Sequence, residues 1–250
     1  MTDLLIDLGN TALKWTVSVF PDDPSTFIHQ GRDRLPEELL EKWLSIKPHK
    51  VVGCMVSSEN LALSMIKFFN RHQISWEWLH SEKRYDGAFH LINQYDDYAQ
   101  LGSDRWHAAI GAASLVPNEP FLVIHMGTAT TVDTVLPEGG NMVFKGGRIL
   151  PGPSMMFDSL LKGTRCRPGH IGSESAFPTN TADAMSTGIL EAHLGVIERA
   201  VAAVRHAGFN EPKIFFAGGA APILAPYIKR EYPNAVQQHN LVLRGLALRA

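Results

Sequence analysis

Two aspartates, three glycine turns and a handful of threonines carry the chemistry that this sequence could perform. Asp104 stands in Gly102-Ser103-Asp104-Arg105, ahead of Trp106, Ala109, Ile110 and Ala113, which recur at helical spacing. A carboxylate there serves either as a helix N-cap, a role Ser103 would fill equally well, or as a base that takes the proton of an attacking alcohol. Arg105 is either a surface charge or a bidentate anchor for an acidic substrate. Asp7 precedes the turn Gly9-Asn10-Thr11, and Lys14 follows it. Such a turn is either a plain hairpin or a concavity of backbone N–H groups that cradles a phosphate. In the second case Asp7 could hold Mg2+ through one carboxylate. Gly127 heads a second turn, Gly218-Gly219 a third, and Thr11, Thr128, Thr130 and Thr131 offer hydroxyls. Two related turns plus a third suit a nucleotide gripped in a cleft between duplicated domains.

The elements that must position these residues follow from periodicity. Leu4-Leu5-Ile6 is a short apolar run, and Leu13, Trp15, Val17 and Val19 alternate with polar residues, so the chain opens as strand, glycine turn, strand. Helical patterns cover 36–46 and 60–72, with strands at 50–56 and 74–79. The stretch 81–102 is polar and irregular, and reads as a long loop carrying Tyr85, Tyr95 and Tyr98. Val116-Pro117-Asn118-Glu119-Pro120 breaks the next helix and marks the expected boundary between residues 1–117 and 118–250. The second half then repeats the opening: Leu122-Val123-Ile124 aligns with Leu4-Leu5-Ile6 when Gly127 is set on Gly9. Strands are expected at 132–136, 142–144 and within 146–152, a long helix from Thr181 to Gly208, a strand at 214–216 and a short closing helix. The class is mixed α/β.

Composition narrows the field. Of the 250 residues, 45% are hydrophobic, enough for a packed core, and a net charge of −2 gives no basic footprint for nucleic acid or a membrane surface. Cys54 and Cys166 form no CxxC pair, which argues against a disulfide framework or structural zinc. The start Met1-Thr2-Asp3 lacks a signal-peptide pattern, no apolar run reaches the ~18 residues of a membrane span, and a cytoplasmic setting is expected. P-loop, GxGxxG and GxSxG motifs are absent from the sequence.

Five segments, in order along the chain, carry a family resemblance. Asp7-Leu8-Gly9-Asn10-Thr11 with Lys14 resembles the first phosphate motif of type III pantothenate kinases, Gly102-Ser103-Asp104-Arg105 their GxDR motif, and Gly127-Thr128-Ala129-Thr130-Thr131-Val132-Asp133 their second phosphate motif. Gly146-Gly147-Arg148-Ile149-Leu150-Pro151-Gly152 and Asn180-Thr181-Ala182-Asp183-Ala184 are similar to two further signatures. The resemblance implies duplicated actin-like, ribonuclease H-like (ASKHA) domains with a central cleft, a homodimer, and ATP- and Mg2+-dependent phosphorylation of pantothenate, the first step towards coenzyme A. By position, Asp104 would be the general base. Tyr95, Gly102, Ser103, Arg105 and Thr181 would contact pantothenate, and Asp7, Leu8, Gly9, Asn10, Thr11, Lys14 and Thr128 would hold ATP. Two departures stand out. His125 occupies the position where the family has an aspartate that binds a monovalent cation (K+ or NH4+), which predicts a weak or absent K+ requirement. Arg165 and Arg167 replace small or apolar residues in Thr164-Arg165-Cys166-Arg167-Pro168. These changes also fit a catalytically impaired, nucleotide-binding regulatory protein on the same fold, an alternative that the intact Asp104 and Lys14 oppose. Phosphoanhydride hydrolysis is a third reading, opposed by an acceptor pocket of Tyr95, Arg105 and Thr181.

Overall fold

The computed structural model describes residues 2–56 and 59–250; the first residue of the chain, read above as part of its start, lies outside them. In chain order the elements are β1 (Leu4–Leu8), β2 (Ala12–Val17), β3 (Ser25–Ile28), α1 (Glu37–Ile46), β4 (Lys50–Met55), α2 (Glu59–Arg71), β5 (Ser75–Trp78), β6 (Arg84–Asp86), β7 (His90–Asn93) and α3 (Ser103–Ala113). They continue with β8 (Phe121–Met126), β9 (Ala129–Glu138), β10 (Asn141–Pro151), α4 (Pro153–Gly163), α5 (Thr181–His206), β11 (Lys213–Ala217), α6 (Ala221–Glu231), β12 (Val236–Gln237) and α7 (Leu241–Ala247). The chain divides into two compact units. The first comprises Met1–Asn118, Glu138–Phe144 and Asn240–Ala250, the second Glu119–Pro137 and Lys145–His239. Segments 138–144 and 240–250, which the sequence puts in the second half, thus pack with the first.

In the first unit the strand order is β3-β2-β1-β4-β5. β1 runs antiparallel to β2 and parallel to β4, which pairs Asp7 with Lys14 on one side and with Cys54 on the other. Side chains alternate across a strand. Leu4, Ile6 and Leu8 therefore join one core with Trp43, Met65 and Phe69, from α1 and α2. Leu5 faces the other way, with Val52, Cys54, Leu79 and the α7 leucines Leu243 and Leu246. Asp7 follows the parity of Leu5, on the face where α7 packs.

α7 lies against α3 so closely that side chains are excluded. A Cβ on Gly111 would come 2.1 Å from the Leu241 carbonyl, and one on Gly245 2.0 Å from that of His107. The polar stretch read as a loop contains β6 and β7, which pair antiparallel, and β7 runs parallel to the start of β10. Tyr85 there is buried on one face of a three-residue strand, too short for a periodic signal.

The second unit repeats the topology: β10-β9-β8-β11-β12 has the same order as β3-β2-β1-β4-β5. Leu122, Ile124 and Met126 on β8 and Val132 and Leu136 on β9 form a core with Ile197, Val201, Val204, Leu224 and Ile228, from α5 and α6. Two stretches read as separate strands, 142–144 and 146–152, are one, β10; Gly146 at φ +127° bends it without ending it. No helix is long and apolar enough to cross a membrane among the described residues.

Candidate active site

In the first unit, the parity of β1 and the entry of α3 bring the predicted carboxylates within electrostatic reach of each other. Asp7 is 9% exposed. Burial raises its pKa from 3.8 to about 6; Lys14 across the hairpin pulls it back down, while Asp104 pushes it up. The Cys54 thiol donates a long hydrogen bond to Asp7 Oδ1 at 3.9 Å. Leu8 is fully buried, so only its backbone is available to a ligand. The turn after it is closed by Gly9 N–H donating to Ala12 O at 3.0 Å, and its residues Asn10 and Thr11 are exposed.

Asp104 is not the N-cap. Gly102 holds that position without a side-chain cap, and a Cβ on it would approach Asp104 Oδ1 to 2.7 Å. Ser103 does not cap either; its hydroxyl donates to Met55 O at 3.1 Å and ties α3 to β4. Asp104 sits in the first turn, where Oδ1 accepts the Arg105 N–H at 2.8 Å. Burial raises its pKa, opposed by that N–H, by the Arg105 charge and by Lys14. The result is a desolvated carboxylate at a helix N-terminus with one oxygen engaged.

Arg105 is 8% exposed and lies over two rings, 5.8 Å from the Tyr95 centroid and 6.0 Å from that of Phe144. The rings meet edge to face at 5.9 Å. Tyr95 is held by its N–H donating to Asn93 Oδ1 at 3.0 Å, and Asn93 Nδ2 donates to Glu82 O and Tyr98 O. Sequence reasoning missed Phe144 and Asn93. Phe144 reads as an ordinary strand residue, and only the parallel pairing of β7 with β10 puts it beside Tyr95.

In the second unit the turn Gly127-Thr128 is packed by other glycines. A Cβ on Gly152 would lie 2.1 Å from Gly127 O, and one on Gly218, at φ +115°, 2.1 Å from Met126 O. Thr128 is exposed, and its carbonyl accepts the Gly152 N–H at 2.9 Å. The other two threonine hydroxyls are not offered to a ligand, contrary to the sequence reading. Thr130 is 1% exposed, its Oγ1 3.1 Å from His193 Nε2, and Thr131 Oγ1 is buried on the opposite face. His125 is half-buried on β8, opposite Thr131.

Thr181 opens α5 and lines a groove of about 510 Å³ with Met156, Leu160, Cys166 and Met185. Asn180 caps the helix, its Oδ1 accepting the Asp183 N–H at 2.9 Å. Arg165 is exposed, and Arg167 turns back onto the carbonyls of Thr164 and Cys166. Among the described residues, no group of three or more His, Cys, Asp or Glu side chains is arranged to hold a metal ion. Asp7 and Asp104 are hard oxygen donors, a set that fits Mg2+ when water and phosphate oxygens supply the other ligands.

The strand order shared by the two units, with a glycine turn after the first strand of each, is that of the duplicated actin-like fold. A solved Baf family protein from Campylobacter jejuni superposes with a TM-score of 0.60 at 22% identity, covering 97% of this chain and 94% of that one. A Listeria monocytogenes protein assigned as an N-acetylmannosamine kinase gives 0.50 at 13% identity, covering 100% and 98%. The family model described as "Type III pantothenate kinase" matches residues 3–203. Type III pantothenate kinases of Herminiimonas arsenicoxydans and Paracidovorax citrulli are 37% and 34% identical, over 97% and 98% of this chain and 95% and 96% of their own. The chain belongs to the type III pantothenate kinase family.

Proposed function

We propose that this protein transfers the γ-phosphoryl group of ATP to the primary hydroxyl of pantothenate, giving ADP and 4′-phosphopantothenate, the first step of coenzyme A biosynthesis. Family membership supports the reaction, and the observation that carries the chemistry is the Asp104 carboxylate, desolvated at a helix N-terminus beside an arginine boxed by two rings. Asp104 accepts the hydroxyl proton while that oxygen attacks the γ-phosphorus; the bond from phosphorus to the β–γ bridging oxygen breaks, and ADP leaves. Arg105, Tyr95 and Gly102, with Thr181, bind the acceptor. Arg105 is suited to its carboxylate because the rings keep water from the guanidinium. Ser103 acts indirectly, by fixing α3 on β4.

ATP is held by the backbone of Asp7 to Thr11, by Lys14 and by Thr128. Asp7, with Asp104 close by, would hold Mg2+, which neutralises developing phosphate charge when bound. His125 offers an imidazole where a hard alkali cation wants oxygen, which supports turnover without K+ or NH4+. The α4–α5 groove beside Thr181 is the surface we propose for a homodimer, checked by a sedimentation mass of twice 27.6 kDa. Use of ATP and a soluble vitamin supports a cytoplasmic setting, checked by fractionation. The duplication supports an ancestral repeat boundary near 117/118. The regulatory reading is not favoured, because Asp104 and Lys14 are intact in a chain that matches kinases along its length.

The test is incubation with Mg-ATP, with and without pantothenate, measuring ADP and 4′-phosphopantothenate. Pantothenate-dependent ADP release is expected, and its absence overturns the reading. Asp104→Asn is expected to lower kcat by roughly 10²-fold or more, the scale of a lost positioned base.

A further inference from the structure

Two of the three glycine turns, those at Gly9 and Gly127, have a buried imidazole of their own unit bonded at the turn or just beyond it. In the first, His29 follows β3 and is 0% exposed, its Nε2 2.9 Å from Gly9 O and its Nδ1 3.1 Å from the Gly31 amide nitrogen. A backbone N–H can only donate, so Nδ1 accepts, and the neutral ring carries its proton on Nε2 and gives it to the Gly9 carbonyl. The N–H groups of His29 and Gln30 both donate to Thr11 O, at 3.0 and 3.1 Å. The carbonyls of Gly9 and Thr11 are thereby drawn towards the end of β3. In a trans peptide the C=O and the following N–H point in opposite directions. The N–H groups of Asn10 and Ala12 must then face away from β3, and Asn10 is exposed. An inward carbonyl thus gives an outward donor, the polarity an anion requires.

In the second unit the brace comes from α5. His193 Nδ1 lies 2.7 Å from Ile189 O and its Nε2 3.1 Å from the Thr130 hydroxyl, and the ring also bonds the Pro151 carbonyl, which ties α5 to both β9 and the end of β10. Thr130 shares the parity of Val132, whose face packs on α5. It lies two residues beyond exposed Thr128. The same helix begins at Thr181, twelve residues or about 18 Å earlier.

We propose that His29 and His193 are positioning residues for nucleotide binding: without touching ATP, each fixes the orientation of one phosphate-binding turn. The proposal rests on the reading of those turns as the triphosphate cradle. The test compares His29→Phe and His193→Phe, which keep a ring and lose the hydrogen bond, with His29→Gln and His193→Gln, whose side-chain amide can donate to Gly9 O or accept from Thr130. Kd for ATP is measured by calorimetry without pantothenate, and KM for both substrates by ADP release. From the usual net worth of one neutral hydrogen bond, each Phe variant is expected to weaken ATP binding about 5-fold, with KM for pantothenate within about 2-fold of the parent. The Gln variants are expected to recover most of the loss. Thr130→Val should reproduce the His193→Phe effect, and the double variant should be no worse than either single one.

An unchanged ATP Kd in the Phe variants overturns the proposal, as does an equal rise in both KM values or full additivity of the Thr130 and His193 changes. If a Phe variant does not fold, its Gln counterpart and Thr130→Val decide: normal ATP affinity in Thr130→Val removes the second brace, and an ATP Kd in His29→Gln raised as much as KM for pantothenate removes the first. Failure of the kinase reading itself would look different: wild-type protein that binds ATP yet releases no ADP with pantothenate.

Discussion

Replacing Asp7 by asparagine should make the protein more stable while stopping its chemistry. The folded pKa of Asp7 is raised to about 6 from 3.8, chiefly by burial, so the ionised carboxylate destabilises the folded state at neutral pH. The difference corresponds to about 3 kcal/mol above pH 6, an upper figure because Lys14 and local relaxation already offset part of the burial. The sign follows from the raised value. Relative to asparagine, the carboxyl imposes no penalty below pH 3.8, where it is protonated folded or unfolded, and the penalty grows as pH rises through about 6. Asp7→Asn should therefore gain roughly 1–3 kcal/mol at pH 8, a shift of about 1 M in urea midpoint, and little or nothing at pH 4. Urea unfolding at the two pH values, without Mg2+ or nucleotide, measures it. A gain of equal size at both pH values, or none at pH 8, refutes burial as the cause. ADP release assayed in parallel should fall at least 10²-fold, since Asp7 is proposed to hold the metal and the nucleotide.

Gly111→Ala forces a methyl into the Leu241 carbonyl at the α3–α7 contact and should cost about 1–3 kcal/mol despite the better helix propensity of alanine; thermal unfolding reads this, and an unchanged midpoint would mean that the helices part freely. Turnover in potassium, ammonium and bulky organic-cation buffers should agree within about 2-fold; a strong K+ dependence would count against the reading of His125.

The sequence carried the framework of this site further than its details. Short apolar strands followed by glycine turns were legible twice, because a hairpin writes its signal into neighbouring residues, and the repeat announced the duplication. Asp104 was legible as a candidate but not in its role, because N-cap and first-turn positions differ by two residues and only the backbone at Gly102 settles which one Asp104 takes. The threonines misled. Thr128, Thr130 and Thr131 look alike in sequence, yet Thr130 is buried and the half-buried Thr131 has its hydroxyl oxygen turned out of solvent. Phe144, His29 and His193 left no local mark: each acts on a residue at least 20 positions away, and such proximity is set by sheet pairing and helix packing. β6 and β7 escaped because strands of three and four residues cannot establish a period.

α7 packs Leu243 and Leu246 against Leu5, Val52 and Leu79, so a core begun on β1 is closed only by a helix that follows the whole second unit in chain order. On the ribosome, the first unit must wait until α7 has been made. Until its codons are read, β1 and β4 show an oily, unfinished face, and the nascent chain is open to proteases and chaperones while the second unit is synthesised. A stop codon after His239 would leave that face permanently bare, and such a chain should accumulate in inclusion bodies or be degraded; its recovery as a soluble, protease-resistant protein would show that α7 is dispensable for closing that core.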